Sequence, residues 1–531
     1  MRRSLQLAAS LLLATAYVTV ALCAQTDVAA PEPAPATRVP AKLVVHEESL
    51  GKVVSSIHLF ASPDFRHIVY TGRRGEKRCV VVDGLEGKLY DDISGATRMG
   101  GPKFSPDSQH MAYVATHRGR EMFILDGAEG PDYDLVLLPF GTPFSPDSRH
   151  TVYQARRSET ALVVRDGKEG KPYDRIFDPL FSPDSARLLY EAEVGKTRRI
   201  VLDGVQGRPY ERIYGMRFSP DSANATYAAV RGKEALIVVD DHEGTAYDKI
   251  RSGPIYSQDS KHLIYTAQQS GREFLVADGA AGPLVDDIDW MHVRFSPDGR
   301  RLAYPAARGG KMLVVIDSTE GREYDRVETP EFSPDGKRIA YGAKVGKQWL
   351  SVTDGKEGVP YDQIYGTAFS PDSQRVAYTA KRGGRAMVVL DGHECHSYDE
   401  VYWPTFSPDS KHLAYQAKRG TKWLAVVDGA EGAEYDRFRH FVPEERPWFW
   451  VLFTPDSRHF AYTVELQDRV TVVIDRSESP DYDDFLGGSG PFFDKVGRLH
   501  SLAIRANEVL RIEAHLTSTS PAGNPPEGPA R

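Results

Sequence analysis

A signature of the form Phe-Ser-Pro-Asp-Ser recurs along almost the whole chain and narrows the choice of fold more than any other feature. It stands at Phe144–Ser148, Phe181–Ser185, Phe218–Ser222, Phe369–Ser373 and Phe406–Ser410. Close variants begin at Ala61, Phe104, Tyr256, Phe295, Phe332 and Phe453, eleven copies in all. From Ser145 the serine returns at Ser182, Ser219, Ser257, Ser296, Ser333, Ser370 and Ser407, in steps of 37 to 39 residues. Self-similarity at this period means an array of supersecondary units, each burying its apolar faces against its neighbours.

The unit that begins at Phe218 shows what is repeated. Arg217-Phe218-Ser219 is short and extended, and Pro220-Asp221-Ser222 has turn chemistry: proline sets φ and the carboxylate accepts nearby amides. Ala225 to Val230 alternates as a strand, Arg231-Gly232 turns it, and Ala235 to Val239 is a second, valine-rich strand. Asp240 to Gly244 turns again, and Tyr247 to Ile250 reads as a fourth short strand. Helical periodicity is absent after the N-terminal segment. The chain is therefore all-β, and four short strands in about 38 residues make one blade of a β-propeller. With Lys/Arg-x-x-Ala-Tyr following the signature, as in Phe295–Tyr304 and Phe332–Tyr341, the repeat resembles the TolB-type, WD-repeat-like β-propeller family. That resemblance implies a secreted or periplasmic bacterial protein. It implies no particular activity, because propellers host binding, scaffolding and catalysis alike.

Eleven explicit units and a degenerate twelfth, Phe493 to Ile512, give about twelve four-stranded blades. Leu43 to Val45 and Val53 to Ile57 match the last strands of a unit, so the N-terminus is expected to complete the C-terminal blade and hide its edge. Two six-bladed propellers in tandem, residues 42–280 and 281–516, fit the usual blade number. The eroded unit there supports the division: Ser257-Gln258-Asp259 lacks the proline, Ala280-Ala281 the glutamate, and Val285 replaces the tyrosine. Seven plus five blades, or one ring of twelve with a very wide channel, are the alternatives.

Residues 1–24 read as a secretory signal peptide: Arg2 and Arg3 precede an apolar run from Leu5 to Ala21, too short for a membrane span. Cys23 offers a lipid-anchor site, although Leu22 departs from the small residue such sites carry. An Ala/Pro-rich linker, residues 25–41, and a tail, residues 517–531, flank the folded body. Mature protein begins near Gln25, outside the cytoplasm, periplasmic or extracellular. Its two remaining cysteines, Cys79 and Cys395, fall in distant repeats and form no disulfide framework. A formal charge of −8 argues against nucleic acid as a partner.

Turn composition is polarised. First and third turns, on one face, carry Asp and Glu (Asp147, Asp184, Asp166, Glu169); second turns, on the other, carry Arg and Lys (Arg157, Arg231, Arg308, Lys418-Arg419). The polarity reflects either inheritance by duplication or a cationic platform for an acidic ligand. The longest insertion, Arg437 to Trp450, lies on the second-turn face. It brings Arg437, Arg439, His440, Arg446, Trp448 and Trp450 together, and Trp290 and Trp403 hold the corresponding place in other blades. Aromatics among cations suit sugar stacking or a protein hot spot, or else they pack inside the ring.

No catalytic motif stands out and no cofactor is implied. Gly195-Lys196-Thr197 lies in a strand-to-strand turn and lacks the upstream glycine of a phosphate loop. His393, Cys395 and His396 are a weak metal-ligand set, since neighbours in one short turn rarely complete a site. Histidines recur after the signature at His67, His110, His150, His262, His412 and His459; one position on separate blades spreads them apart. The expected function is a non-enzymatic propeller binding a protein or an acidic cell-envelope glycan through its basic, aromatic-decorated face. The alternative is a propeller lyase or hydrolase acting on polyanionic carbohydrate.

Overall fold

The structure is a computed structural model and describes residues 42–52, 59–94, 101–139, 141–439, 451–486 and 491–517. It is all-β, with twelve antiparallel sheets in chain order, numbered here as blades 1 to 12. Blade 4 is typical: Arg175–Phe181, Leu188–Val194, Thr197–Leu202 and Val205–Gln206 lie side by side in that order. In five blades the first strand is broken in two, as in blade 7, where Asp287–Ile288 and Arg294–Phe295 both pair with Leu302–Arg308. The N-terminal strand Lys42–Lys52 pairs with Glu508–Thr517 and completes blade 12, as expected. The signal-peptide, linker, tail and Cys23 readings, and Val53 to Ile57, lie outside the described residues.

The unit boundary differs from the sequence reading. The Tyr-Asp-x-Ile segment is not one fourth strand. Its tyrosine closes the outer strand of one blade, as Tyr210 does by bridging Arg198, and its isoleucine is the second residue of the first strand of the next, as Ile213 is in Arg212–Phe218. The glutamate after the third turn is likewise in the outer strand: Glu243 lies in His242–Tyr247.

Each signature residue has a defined task. The serine is a buried hub: Ser370 Oγ donates to Asp372 at 2.5 Å and accepts the Arg375 N–H at 2.9 Å. The aspartate carboxylate also accepts the amide two residues on, closing the turn. The fifth residue is left-handed, with φ of 66° at Ser373 and 70° at Gly336, which is why serine and glycine interchange there. Where it is serine it accepts the N–H of the preceding blade's aspartate, as Ser373 does from Asp335 at 2.9 Å.

The outer strands carry a second tie. Tyr133, Tyr210, Tyr324, Tyr361, Tyr398, Tyr435 and Tyr482 each donate to a glutamate of the next blade at 2.7 to 2.9 Å. The last of these acceptors is Glu47, so the N-terminal strand supplies blade 12 with the glutamate its own segment lacks. Edge-to-face tyrosine pairs, such as Tyr361 with Tyr378, pack beneath the ties.

The twelve blades form one ring, not two rings of six. Lys42–Thr517 is a single compact unit. Blade 12 packs on blade 1 through Leu50, Ile68, Leu502 and Val509, with Phe65 against Phe492. At the expected boundary near residue 280 the core is unbroken: Ile264 and Leu275 of blade 6 share a cluster with Ile288 and Tyr304 of blade 7. Val285 fills the tyrosine's slot and is fully buried. Erosion there removed a polar tie and left the apolar packing between the blades intact.

Two outcomes follow from these bonds. Ser370→Ala strands a buried amide and is expected to cost about 1–3 kcal/mol. Ser373→Gly keeps the left-handed backbone and costs no more than about 1 kcal/mol, both read by denaturant unfolding. The Asp335 carboxyl is pulled down to about 2, chiefly by the Ser333 hydroxyl and then by the Lys337 amide. A lowered folded pKa gives stability that is complete above the ordinary aspartate value of about 4. That stability is lost as the pH falls through about 2. The unfolding midpoint should therefore drop on acidification below about pH 4, less steeply in Asp335→Asn.

Candidate functional site

Charge on the turns is largely consumed by the fold. The residue after each signature turn pairs with the third-turn aspartate of its own blade in all eleven signature blades: six histidines, four arginines and Asn224. His150 Nδ1, for example, lies 2.8 Å from Asp166 while the other carboxylate oxygen accepts the Thr151 amide. The recurring histidines are thus strand-end clamps. On the opposite face, second-turn arginines reach the outer-strand glutamates. Arg157 meets Glu169 at 2.8 and 3.1 Å and stacks over Tyr133, and Arg505 meets Glu47 at 2.7 and 2.8 Å. The acid of each Tyr-Asp pair caps a second turn, as Asp362 accepts the Gly383 amide at 2.7 Å. The acidic and basic turn charges suggested by composition are therefore cancelled at most blades by partners within the same blade.

The first strands escape this regularity. Between the apolar residue near the start of each one and the signature aromatic that closes it, the sequence varies more than in the other strands, although Ile-Tyr-Gly stands in both blades 5 and 9. First strands of successive blades approach closely: a Cβ on Gly215 would lie 2.7 Å from the Gly253 carbonyl. Side chains placed here face neighbours that also vary, so this is where sites can differ from blade to blade.

The sequence-predicted residues fall on these strands in part. Trp403 follows Tyr402 in blade 10, is 40% exposed and has φ of 46°. Blades 5 and 9 have Gly215 and Gly366 at the same left-handed place. The indole lies over Gly366, where an added Cβ would meet Cε3 at 3.2 Å. Tyr402 beside it donates to Glu400, which raises its pKa to about 12, and Lys418 holds Glu400 at 3.0 Å. Trp290 sits in a short 3-10 turn, half-buried against the core between blades 6 and 7. Arg437 is exposed at the start of blade 11's first strand; Arg439 Nε lies 2.7 Å from the buried Glu465. His440, Arg446, Trp448 and Trp450 lie outside the described residues. His393, Cys395 and His396 form an outer strand rather than a turn, with alternate side chains on opposite faces. No group of metal-ligating side chains occurs among the described residues. Glu394 between them is a tie, accepting from Tyr361.

Buried and half-buried ionisable groups on or against the first strands were not legible in sequence. Glu328 of blade 8 lies against Gly342, where other blades place Thr379, Gln416 or Glu191, and burial raises its carboxyl to about 7. Arg251 lies 3.7 Å from both the buried Glu273 and Asp287, joining blades 6 and 7; burial raises the Glu273 pKa. Only the absence of a side chain at Gly342 hinted at the first of these. A raised folded pKa gives stability that is present below the ordinary glutamate value and lost as pH rises through about 7. Glu328→Gln should therefore raise the melting temperature at pH 8 and change it little at pH 5.5, measured by scanning calorimetry.

No protein-family model and no curated protein matches the chain. Among solved structures it is similar to TolB from Acinetobacter baumannii, at 17% identity over 53% of this chain and 75% of that one, with a TM-score of 0.21. It is also similar to the Dos1 propeller, at 10% identity over 58% and 93% with a TM-score of 0.25. A third is dihydro-heme d1 dehydrogenase NirN in complex with DHE, at 12% identity over 54% and 73% with a TM-score of 0.26. TM-scores this low carry no argument, and the propeller rests on the chain's own twelve sheets.

Proposed function

We propose that this is a non-enzymatic, exported β-propeller that binds a macromolecular partner, a protein or an acidic cell-envelope glycan. Binding takes place around blades 10 and 11, on a surface that runs from the irregularity in blade 10's first strand, where Trp403 stands, toward the second-turn face. Trp403 carries the reading. A bulky residue in the left-handed region costs about 1–3 kcal/mol, and such strain persists where it serves a site. Glycine holds that place without strain in two sister blades, so the exposed indole is retained against the local backbone preference. Arg437, exposed nearby in sequence order, leads into the insertion with Arg446, Trp448 and Trp450. Export rests on Arg2, Arg3 and the apolar run from Leu5 to Ala21.

A second reading, a lyase or hydrolase acting on polyanionic carbohydrate, draws on the Arg251, Glu273 and Asp287 cluster, where two carboxylates and a cation from two blades converge.

The test is binding of mature protein, from Gln25, to an array of envelope glycans and to immobilised envelope proteins. Trp403→Gly should keep or slightly raise the melting temperature and weaken binding at least about tenfold, in line with loss of an aromatic hot spot. Trp448→Ala should weaken it as well. Undiminished binding in both variants overturns the proposed surface. Cleavage of an arrayed glycan, abolished by Glu273→Gln, moves the second reading to the front.

A further inference from the structure

The first residue of each first strand is a position where the repeat relaxes. It is acidic at Asp92, Asp287, Glu400 and Asp484, basic at Arg326 and Arg437, and basic on three successive blades at Arg175, Arg212 and Lys249. The last two of these cations line one groove of about 570 Å³ that spans blades 4 to 6. Lys233, at the tip of blade 5's second turn, also lines it. Arg212, Lys233 and Lys249 have no ion-pair partner among the described residues, unlike the second-turn arginines elsewhere on the ring.

The acids of the groove do not balance these charges. Asp248 accepts the Ser270 amide at 2.6 Å and the Gln269 carboxamide, neutral donors that leave its charge in place, so Asp248 and Glu234 offset two of the three free cations and one remains in excess. Arg198 closes one end but is already held by Glu191 at 2.6 Å. Further along the strand that begins with Arg212, the half-buried Arg217 has a buried Nε with no acceptor, and desolvation lowers its pKa. A cation in excess over the lining carboxylates sets up a positive potential that an anion relieves.

The floor of the groove is apolar: Ile213, Val230, Ala235 and Ile250. Its one aromatic, Tyr214, is half-buried and its hydroxyl is committed to the Ile250 carbonyl at 2.8 Å, so it offers a sugar neither a fully exposed ring nor a free hydroxyl. Carboxylates beside apolar side chains match this lining better than a carbohydrate does.

We propose that the groove between blades 4 and 6 binds an extended acidic polypeptide segment, with its carboxylates on Arg212, Lys249 and Lys233 and an intervening apolar side chain on Ile213 and Ile250. The inference rests on the reading of the protein as a binder, and adds a site and a ligand chemistry remote in sequence from blades 10 and 11.

The probe is a fluorescein-labelled Glu-Leu-Glu-Leu-Glu peptide, followed by anisotropy with mature protein at several salt concentrations. Its Lys-Leu-Lys-Leu-Lys counterpart and a heparin-derived hexasaccharide form the other arms. The acidic peptide should bind with an affinity that falls as salt rises. Arg212→Glu with Lys249→Glu should weaken it at least about tenfold, and Lys233→Glu alone by a smaller factor. Lys168→Glu with Lys356→Glu makes the same change in net charge on outer strands that do not line the groove and should leave the affinity within about twofold. Circular dichroism checks that each variant is folded. Equal weakening in both double variants, no binding of the acidic peptide, or a preference for the hexasaccharide or the basic peptide overturns the proposal. Trp403 and Trp448 variants do not enter this assay, so failure here and failure of the surface at blades 10 and 11 are distinguishable.

Discussion

Apolar packing between neighbouring blades is the contact on which the ring depends, since it persists at Val285 where the polar tie is lost. Over it, at seven places, a tyrosine hydroxyl reaches a glutamate of the next blade, a charged acceptor that makes the bond stronger than a neutral one. Burial raises the tyrosine pKa, as at Tyr210, pushed up to about 12, so the phenol stays the donor. A second-turn arginine completes most ties, as Arg382 does at Glu394. The N-terminal strand joins the ring under the same rule by presenting Glu47 to Tyr482 and Arg505.

That economy has a functional consequence. Once turn aspartates clamp strand ends, signature aspartates close turns, and arginines hold the glutamates, few polar side chains at the repeated positions remain uncommitted. The more variable first strands are the exception. They hold a left-handed tryptophan, a carboxyl raised by burial and a sector of cations without counter-ions. A repeat protein of this kind keeps its architecture constant in the outer three strands and is free to vary the first.

Much of this was legible in the chain. The 37- to 39-residue period, the turn chemistry of Pro-Asp-Ser and the alternating strands identify a propeller of about twelve blades, and the pattern Leu43 to Val45 anticipates closure by the N-terminus. The roles of the charges were not legible. His150 and Asp166 are sixteen residues apart, and Tyr361 and Glu394 are thirty-three, so composition by turn suggested opposed faces where the structure forms pairs. Likewise, loss of Tyr and Glu around Val285 resembled a domain end, because sequence registers the missing polar tie and not the apolar contacts that survive it.

Sequence by itself determined the all-β class, the blade as unit, the count of units and the candidate tryptophans, because each of these follows from local periodicity and backbone preference. Tertiary structure alone decided that the blades share one ring. Ring size is set by the packing angle between neighbouring blades, a property of surfaces brought together from residues about forty apart. It also decided which cations are free, since a charge is neutralised or exposed only by what the fold places within a few ångströms of it.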